Sequence, residues 1–144
     1  MTISQQGIDL IKHWEQFRSK PYKCPAGIWT QGYGHTRTAT ASSQPITKVQ
    51  AEQLLRVDLL AFELQLKFVL EGIDLKQCQY DAIVSFCFNL GVGAFKKSKA
   101  FRIIKKDPNS KLIADSWVTF RNANGEFLRG LLLRRLTELV LYYS

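Results

Sequence analysis

Glu15, Cys24 and Thr30 are the residues whose types and spacing suit chemistry, in the stretch WEQFRSKPYKCPAGIWTQGYGHT that runs from Trp14 to Thr36. A carboxyl set among aromatic rings is harder to ionise than one in water, and a carboxyl that keeps its proton near neutral pH is a general acid. Glu15, beside Trp14 and Phe17, has that setting; the plainer reading is a solvated helix glutamate. Nine residues on, Cys24 offers a thiol that, as thiolate, serves as a base or as an electrostatic partner, and Lys20 and Lys23 favour the thiolate. The alternative for Cys24 is an inert turn residue. Six residues further, the Thr30 hydroxyl both donates and accepts, which suits it to holding a water. A second acid is missing from the stretch.

These side chains need elements to hold them. Ile3, Gly7, Leu10, Trp14 and Phe17 recur at helical spacing, which predicts a helix over 3–17 with Thr2 or Ser4 as N-cap. Glu15 then borders the buried face, one turn above Ile11. Pro21, Pro25, Gly27, Gly32 and Gly34 exclude a helix over 18–38. CPAG places Pro second and Gly fourth, as a type I turn prefers, so a hairpin follows, with a third short strand after Gly34. A four-residue turn would pair Cys24 with Gly27 and put Cys24 and Thr30 on opposite faces unless a bulge intervenes. TATASSQP (38–45) reads as a polar loop. Thr47-x-x-Gln50 is a capping box opening a helix over 47–71, with Val49, Leu54, Val57, Leu60, Leu64 and Val69 as its apolar face. Further helices are expected at 75–90, 95–106, 110–121 and 129–142. The fold class is therefore α+β and mostly helical. One domain over 1–144 is expected, with a small β-containing lobe (18–46), a connecting helix (47–71) and a helical lobe formed by 72–144 plus the first helix.

Composition narrows the classes. Hydrophobic residues make up 46% and charged residues 22%, which places the chain among globular proteins rather than disordered ones. No apolar run reaches the roughly 18 residues of a membrane span. MTISQQGIDLIKHWE carries neither a basic leader nor an apolar block, so a protein without a signal peptide, folded in a cytoplasm, is expected. Three cysteines at irregular spacing give no disulfide framework. With only His13 and His35, no metal and no cofactor are expected. Residues 1–95 hold 9 Lys/Arg against 8 Asp/Glu, and residues 96–144 hold 11 against 4, so +7 of the net +8 lies in the C-terminal third. Such a field steers toward a polyanion such as an anionic envelope surface, or is a solvated basic face. No recognition motif accompanies the charge, so nucleic acid is not an expected partner.

The opening stretch resembles the phage lysozymes, endolysins of glycoside hydrolase family 24. Their pattern is a Glu at the end of the first helix followed by Y-x-D-x-x-G-x-x-T-x-G-Y-G-H-T. Glu15, Tyr22, Gly27, Thr30, Gly32, Tyr33, Gly34, His35 and Thr36 match it in place, and Cys24 stands where the pattern has its acid. QYDAIVSFCFNLGVGAFKKS (79–98) and, after Trp117, GEFLRGLLLRRLTELVLY (125–142) are similar to two further blocks of the family. The resemblance implies a lysozyme-like fold acting as a monomer. It also implies hydrolysis of the β-1,4 bond between N-acetylmuramic acid and N-acetylglucosamine in peptidoglycan glycan strands. Glu15 would protonate the leaving oxygen. In an inverting mechanism a second group roughly 6.5–9.5 Å away activates water on the other sugar face. Cys24 and Thr30 stand in that role, and Thr36, Phe88 and Ser98 match family positions that contact sugar. Core packing is the competing reading for Phe88, and His35 is expected to be structural. The implied setting is a phage endolysin held in the host cytoplasm until a separate membrane-permeabilising protein releases it to the wall. Two alternatives stay open. A lytic transglycosylase would use Glu15 alone, and a non-catalytic wall- or membrane-binding protein would act through the basic C-terminal third.

Overall fold

The computed structural model describes residues 1–144 as seven helices and two small antiparallel hairpins, in agreement with the α+β, mostly helical class. The chain forms two compact units, one of Asp9–Ala61 and one of Met1–Ile8 with Phe62–Ser144.

Helix α1 covers Gln5–Glu15. Ser4 caps it, its carbonyl accepting from the Ile8 N–H at 3.1 Å and its hydroxyl bonding to Asp81. The helix stops two residues short of the expected end because Gln16 takes a positive φ of 59°, the left-handed conformation that closes many helices. Its buried stripe is Gly7, Ile8 and Ile11, whereas Leu10 and Trp14, expected on that stripe, are only half-buried. Gly7 is needed for packing, since a Cβ there would lie 2.9 Å from Asp81.

Strands β1 (Arg18–Lys23) and β2 (Trp29–Gly32) form the first hairpin. The expected third strand does not form. Gln31 and His35 exchange one pair of backbone bonds, 2.9 Å each, across the turn that positive φ angles at Gly32 and Gly34 make, and the pairing extends no further.

Helix α2 covers Lys48–Val69, and its capping box is present. The Gln50 side chain accepts from the Thr47 N–H at 2.9 Å, and the Thr47 hydroxyl accepts from the Gln50 N–H at 3.1 Å. The face expected to be buried is, however, largely exposed, with only Leu54 and Val69 of its six residues half-buried. Val49, Val57, Leu60 and Leu64 are between 52% and 70% accessible, while Ala51, Leu55, Leu59 and Leu66 are fully buried. Asp58 lies on the true buried stripe, and His35 makes that possible by supplying its partner.

Helix α3 (Gln77–Leu90) is buried almost all round, from Gln79 to Cys87. The helix expected over 95–106 is two helices, α4 (Val92–Lys97) and α5 (Lys99–Lys106), interrupted at Ser98. Helix α6 is shorter than expected, Leu112–Trp117. A second hairpin follows, β3 (Asn122–Ala123) and β4 (Glu126–Phe127), and then helix α7 (Arg129–Tyr142). Asn124 and Gly125 turn this hairpin, both with positive φ, as a type I′ turn requires.

Charge lies at the heart of the larger unit. Glu138 on α7 is 0% exposed. It accepts from the Ser85 hydroxyl (2.8 Å), the Trp117 indole N–H (2.9 Å) and Arg135 Nη2 (2.9 Å). Burial lowers the Arg135 pKa, and Glu138 opposes that shift. The guanidinium also lies over the Phe86 ring, 4.8 Å from its centre. Arg134, Arg135 and Glu138 are thus structural.

Candidate active site

The first hairpin places two of the three candidate side chains together. The turn Cys24–Gly27 closes with the Gly27 N–H donating to the Cys24 carbonyl at 2.8 Å, and the Cys24 N–H donates to the Ile28 carbonyl at 3.0 Å. Gly27 sits between them at φ 77°. This is a three-residue loop with a glycine bulge, so Cys24 pairs with Ile28 rather than with Gly27. The strand register is Tyr22 opposite Thr30 and Lys23 opposite Trp29. Residues that face each other share a side of the sheet, and so do residues two apart. Cys24, Tyr22 and Thr30 therefore share one face. The single left-handed glycine reverses what a simple four-residue turn would give.

Thr30 is buried, and its hydroxyl donates to the Ile28 carbonyl at 3.0 Å. Cys24 is half-exposed and forms no disulfide. Backbone hydrogen bonding at Ile28 holds the Cys24 thiol below the ordinary cysteine pKa; desolvation is the next-largest influence and opposes it, and hydrogen bonds at Ala26 and Thr30 add smaller lowering effects. Lys20 and Lys23, expected to favour the thiolate, are not among these causes.

Glu15 is half-buried at the last residue of α1. Its carboxylate lies against the backbone of Gly34, where an added Cβ would come within 2.9 Å of Oε2. Gly34 is held in turn by its neighbours. Tyr33 is buried and packs its ring 5.7 Å from that of Phe17. His35 is buried and bonds through Nδ1 to Asp58 Oδ2 at 2.7 Å and through Nε2 to the Thr38 hydroxyl at 2.6 Å. The GYGH run is thus a strap whose middle glycine touches the acid and whose histidine is tied to α2. Sequence reasoning singled out neither Gly34 as a contact of the acid nor Asp58; the only signal was an aspartate on an otherwise apolar helix stripe.

Glu15, Cys24, Thr30 and Thr36 belong to the unit Asp9–Ala61, and Phe88 and Ser98 to the other. Thr36 is exposed. Phe88 is half-buried with its ring 5.4 Å from that of Phe62. Ser98 is buried as the N-cap of α5, accepting from the Phe101 N–H at 3.0 Å and donating to the Phe95 carbonyl at 2.6 Å. It also lines a cavity of about 520 Å³ with Lys97, Lys99, Ile103, Asp115 and Phe120. No group of His, Cys, Asp and Glu is arranged to hold a metal ion.

A hairpin with a short polar face, a carboxylate at the end of the first helix and a helical remainder define a lysozyme-like α+β protein. The phage lysozyme family model matches residues 12–138, and the chain belongs to that family. It is 38% identical over 147 residues to an endolysin of Acyrthosiphon pisum secondary endosymbiont phage 1, covering 100% of this chain and 99% of the relative. It is 36% identical over 146 residues to an endolysin of Bacillus phage B103, where all of this chain spans only 55% of the relative's length. Among solved structures, the muramidase domain of SpmX from Asticaccaulis excentricus superposes with a TM-score of 0.89 at 34% identity, covering 99% of this chain and 98% of that one.

Proposed function

We propose that the chain is an endolysin with muramidase activity, cleaving the β-1,4 bond between N-acetylmuramic acid and N-acetylglucosamine in peptidoglycan to lyse the host cell. The observation that carries this reading is the shared hairpin face of Cys24 and Thr30, at the positions where the family pattern has its acid and its threonine. Glu15 donates a proton to the leaving glycosidic oxygen as the bond to the anomeric carbon breaks. A water attacks that carbon from the opposite face, and the Cys24 thiolate takes the water's proton while Thr30 orients it. The lowered pKa of Cys24 supports the thiolate role. Thr36 and Phe88 are the proposed sugar contacts. Ser98 is a weaker one, because its hydroxyl is already committed at both hydrogen bonds.

Digestion of purified peptidoglycan with mass analysis of the fragments tests the proposal. Reducing muramic acid ends are expected. Ends of the 1,6-anhydro form would assign the chain to transglycosylation by Glu15 alone, a reading favoured by the thiol at the usual acid position. Intact glycan would leave binding as the activity. Release from a host cytoplasm by a separate membrane-permeabilising protein belongs to the same proposal. No helix here is long and apolar enough to cross a membrane. Fractionation of expressing cells is expected to find the protein at the wall only when such a permeabilising protein is present.

A further inference from the structure

Residues 96–106, KKSKAFRIIKK, carry six cations and no acid. In the structure Lys96, Lys97, Lys99, Arg102, Lys105 and Lys106 are all exposed. None of them takes part in an ion pair, whereas the half-buried Lys12 and the exposed Arg56 both converge on Glu52. The one specific contact in the group is Lys105 Nζ over the Phe101 ring at 4.9 Å. On α5, Lys99, Arg102 and Lys106 fall at i, i+3 and i+7 on one face, with Lys105 beside them. Like charges three and four residues apart repel, and Lys99 sits at the positive end of the helix dipole, which favours only Lys105 and Lys106 in the last turn.

We infer that this ridge binds a linear phosphodiester polymer of the bacterial wall, holding the chain on its substrate. The inference rests on the proposed wall-degrading activity. Three features select the partner. The cations repeat about once per helical turn, which suits a ligand whose charge recurs along its length. Five of the six are lysines, point charges without the planar fork that reads a single carboxylate or phosphate in two bonds. The apolar side of α5 (Ala100, Phe101, Ile104) is buried. The ridge therefore presents neither the free apolar face that insertion into a bilayer uses nor exposed rings on which nucleic-acid bases stack.

The test uses the full chain carrying E15Q, so that walls remain intact while binding is measured. Co-sedimentation is compared for walls that retain their phosphodiester polymer and for the same walls stripped of it by hydrofluoric acid, between 50 and 200 mM salt in round figures (about one to two decades of affinity for a few phosphate contacts). Tighter binding to unstripped walls is expected. R102Q/K105Q/K106Q should weaken it at least about tenfold and flatten the salt slope by about 2–3 units. R102K/K105R/K106R should restore binding, which separates charge from folding. Equal binding to both wall preparations, or an undiminished Gln variant, would overturn the inference. So would tighter binding to phosphatidylglycerol vesicles, or to a single-stranded oligonucleotide, than to purified poly(glycerol phosphate). Cleavage of stripped peptidoglycan by the triple Gln variant with Glu15 intact reports separately on the muramidase reading, and a rate equal to the parent's is expected.

Discussion

At Glu15, Gly34 and Cys24 the proposed chemistry depends on single atoms. E15Q keeps the shape of the side chain and removes the proton donor, so peptidoglycan cleavage should fall by at least about 10²; a variant that still cleaves at the parent rate would remove Glu15 from the mechanism. G34A tests the strap. A methyl group there enters the space of Glu15 Oε2 and the residue keeps an unfavourable φ of 77°, so both activity and thermal stability should drop. At Cys24 the pH profile separates the two readings. The thiol's pKa is lowered, so the thiolate persists somewhat below the ordinary cysteine range and is lost as pH falls through its pKa. C24D should retain activity and move the acid limb to lower pH, following the reference values of about 3.9 for Asp and about 8.5 for Cys. C24A should lose activity by about 10². An Ala variant with an unchanged profile would make Cys24 a turn residue.

Helix α2 shows how an element is oriented by its one buried charge. Its apolar residues are spread around the helix, so two stripes compete on periodicity alone, and the stripe containing Asp58 looks worse. The His35 imidazole reverses that ranking by giving Asp58 a partner inside the unit, and Asp58 Oδ1 remains without one. Removing the histidine leaves a buried carboxylate unpaired. H35A should therefore destabilise the fold by about 3–5 kcal/mol, read by urea unfolding, and should also lower activity by loosening the strap that carries Gly34. On the same helix, L59A should cost about 2–5 kcal/mol. L60A, one residue on and 61% exposed, should change stability by no more than about 0.5 kcal/mol. Equal costs at the two positions would mean that the helix is rotated from the orientation described.

On the scale of the whole molecule, charge is divided by environment. Two arginines and one glutamate are sealed in the larger unit, while most of the remaining positive excess lies outside on α4 and α5. The buried group is structural. E138Q would leave Arg134 and Arg135 facing each other in the interior, and a loss of about 3–5 kcal/mol is expected in chemical denaturation. That is a large share of the roughly 5–15 kcal/mol by which domains of this size are stable. The exposed cations are free of such duties, which is why their removal is expected to alter binding and leave folding intact.

Local sequence settled what short-range physics can settle. The Thr47–Gln50 capping box, the Pro-Gly turn at CPAG and the helical spacing of residues 129–142 each involve neighbours a few positions apart, so their forms follow from the residues themselves. The Asn-Gly pair at 124–125 is equally local, and a tight hairpin turn is what such a pair favours. Which face of a helix is buried, and which side of the hairpin Cys24 takes, were decided only in three dimensions. The first depended on His35 meeting Asp58 across 23 positions of chain. The second depended on one glycine adopting a left-handed bulge that shifts the register by a single residue. Such choices belong to partners distant in sequence or to a backbone angle, and neither is written in the pattern of apolar residues.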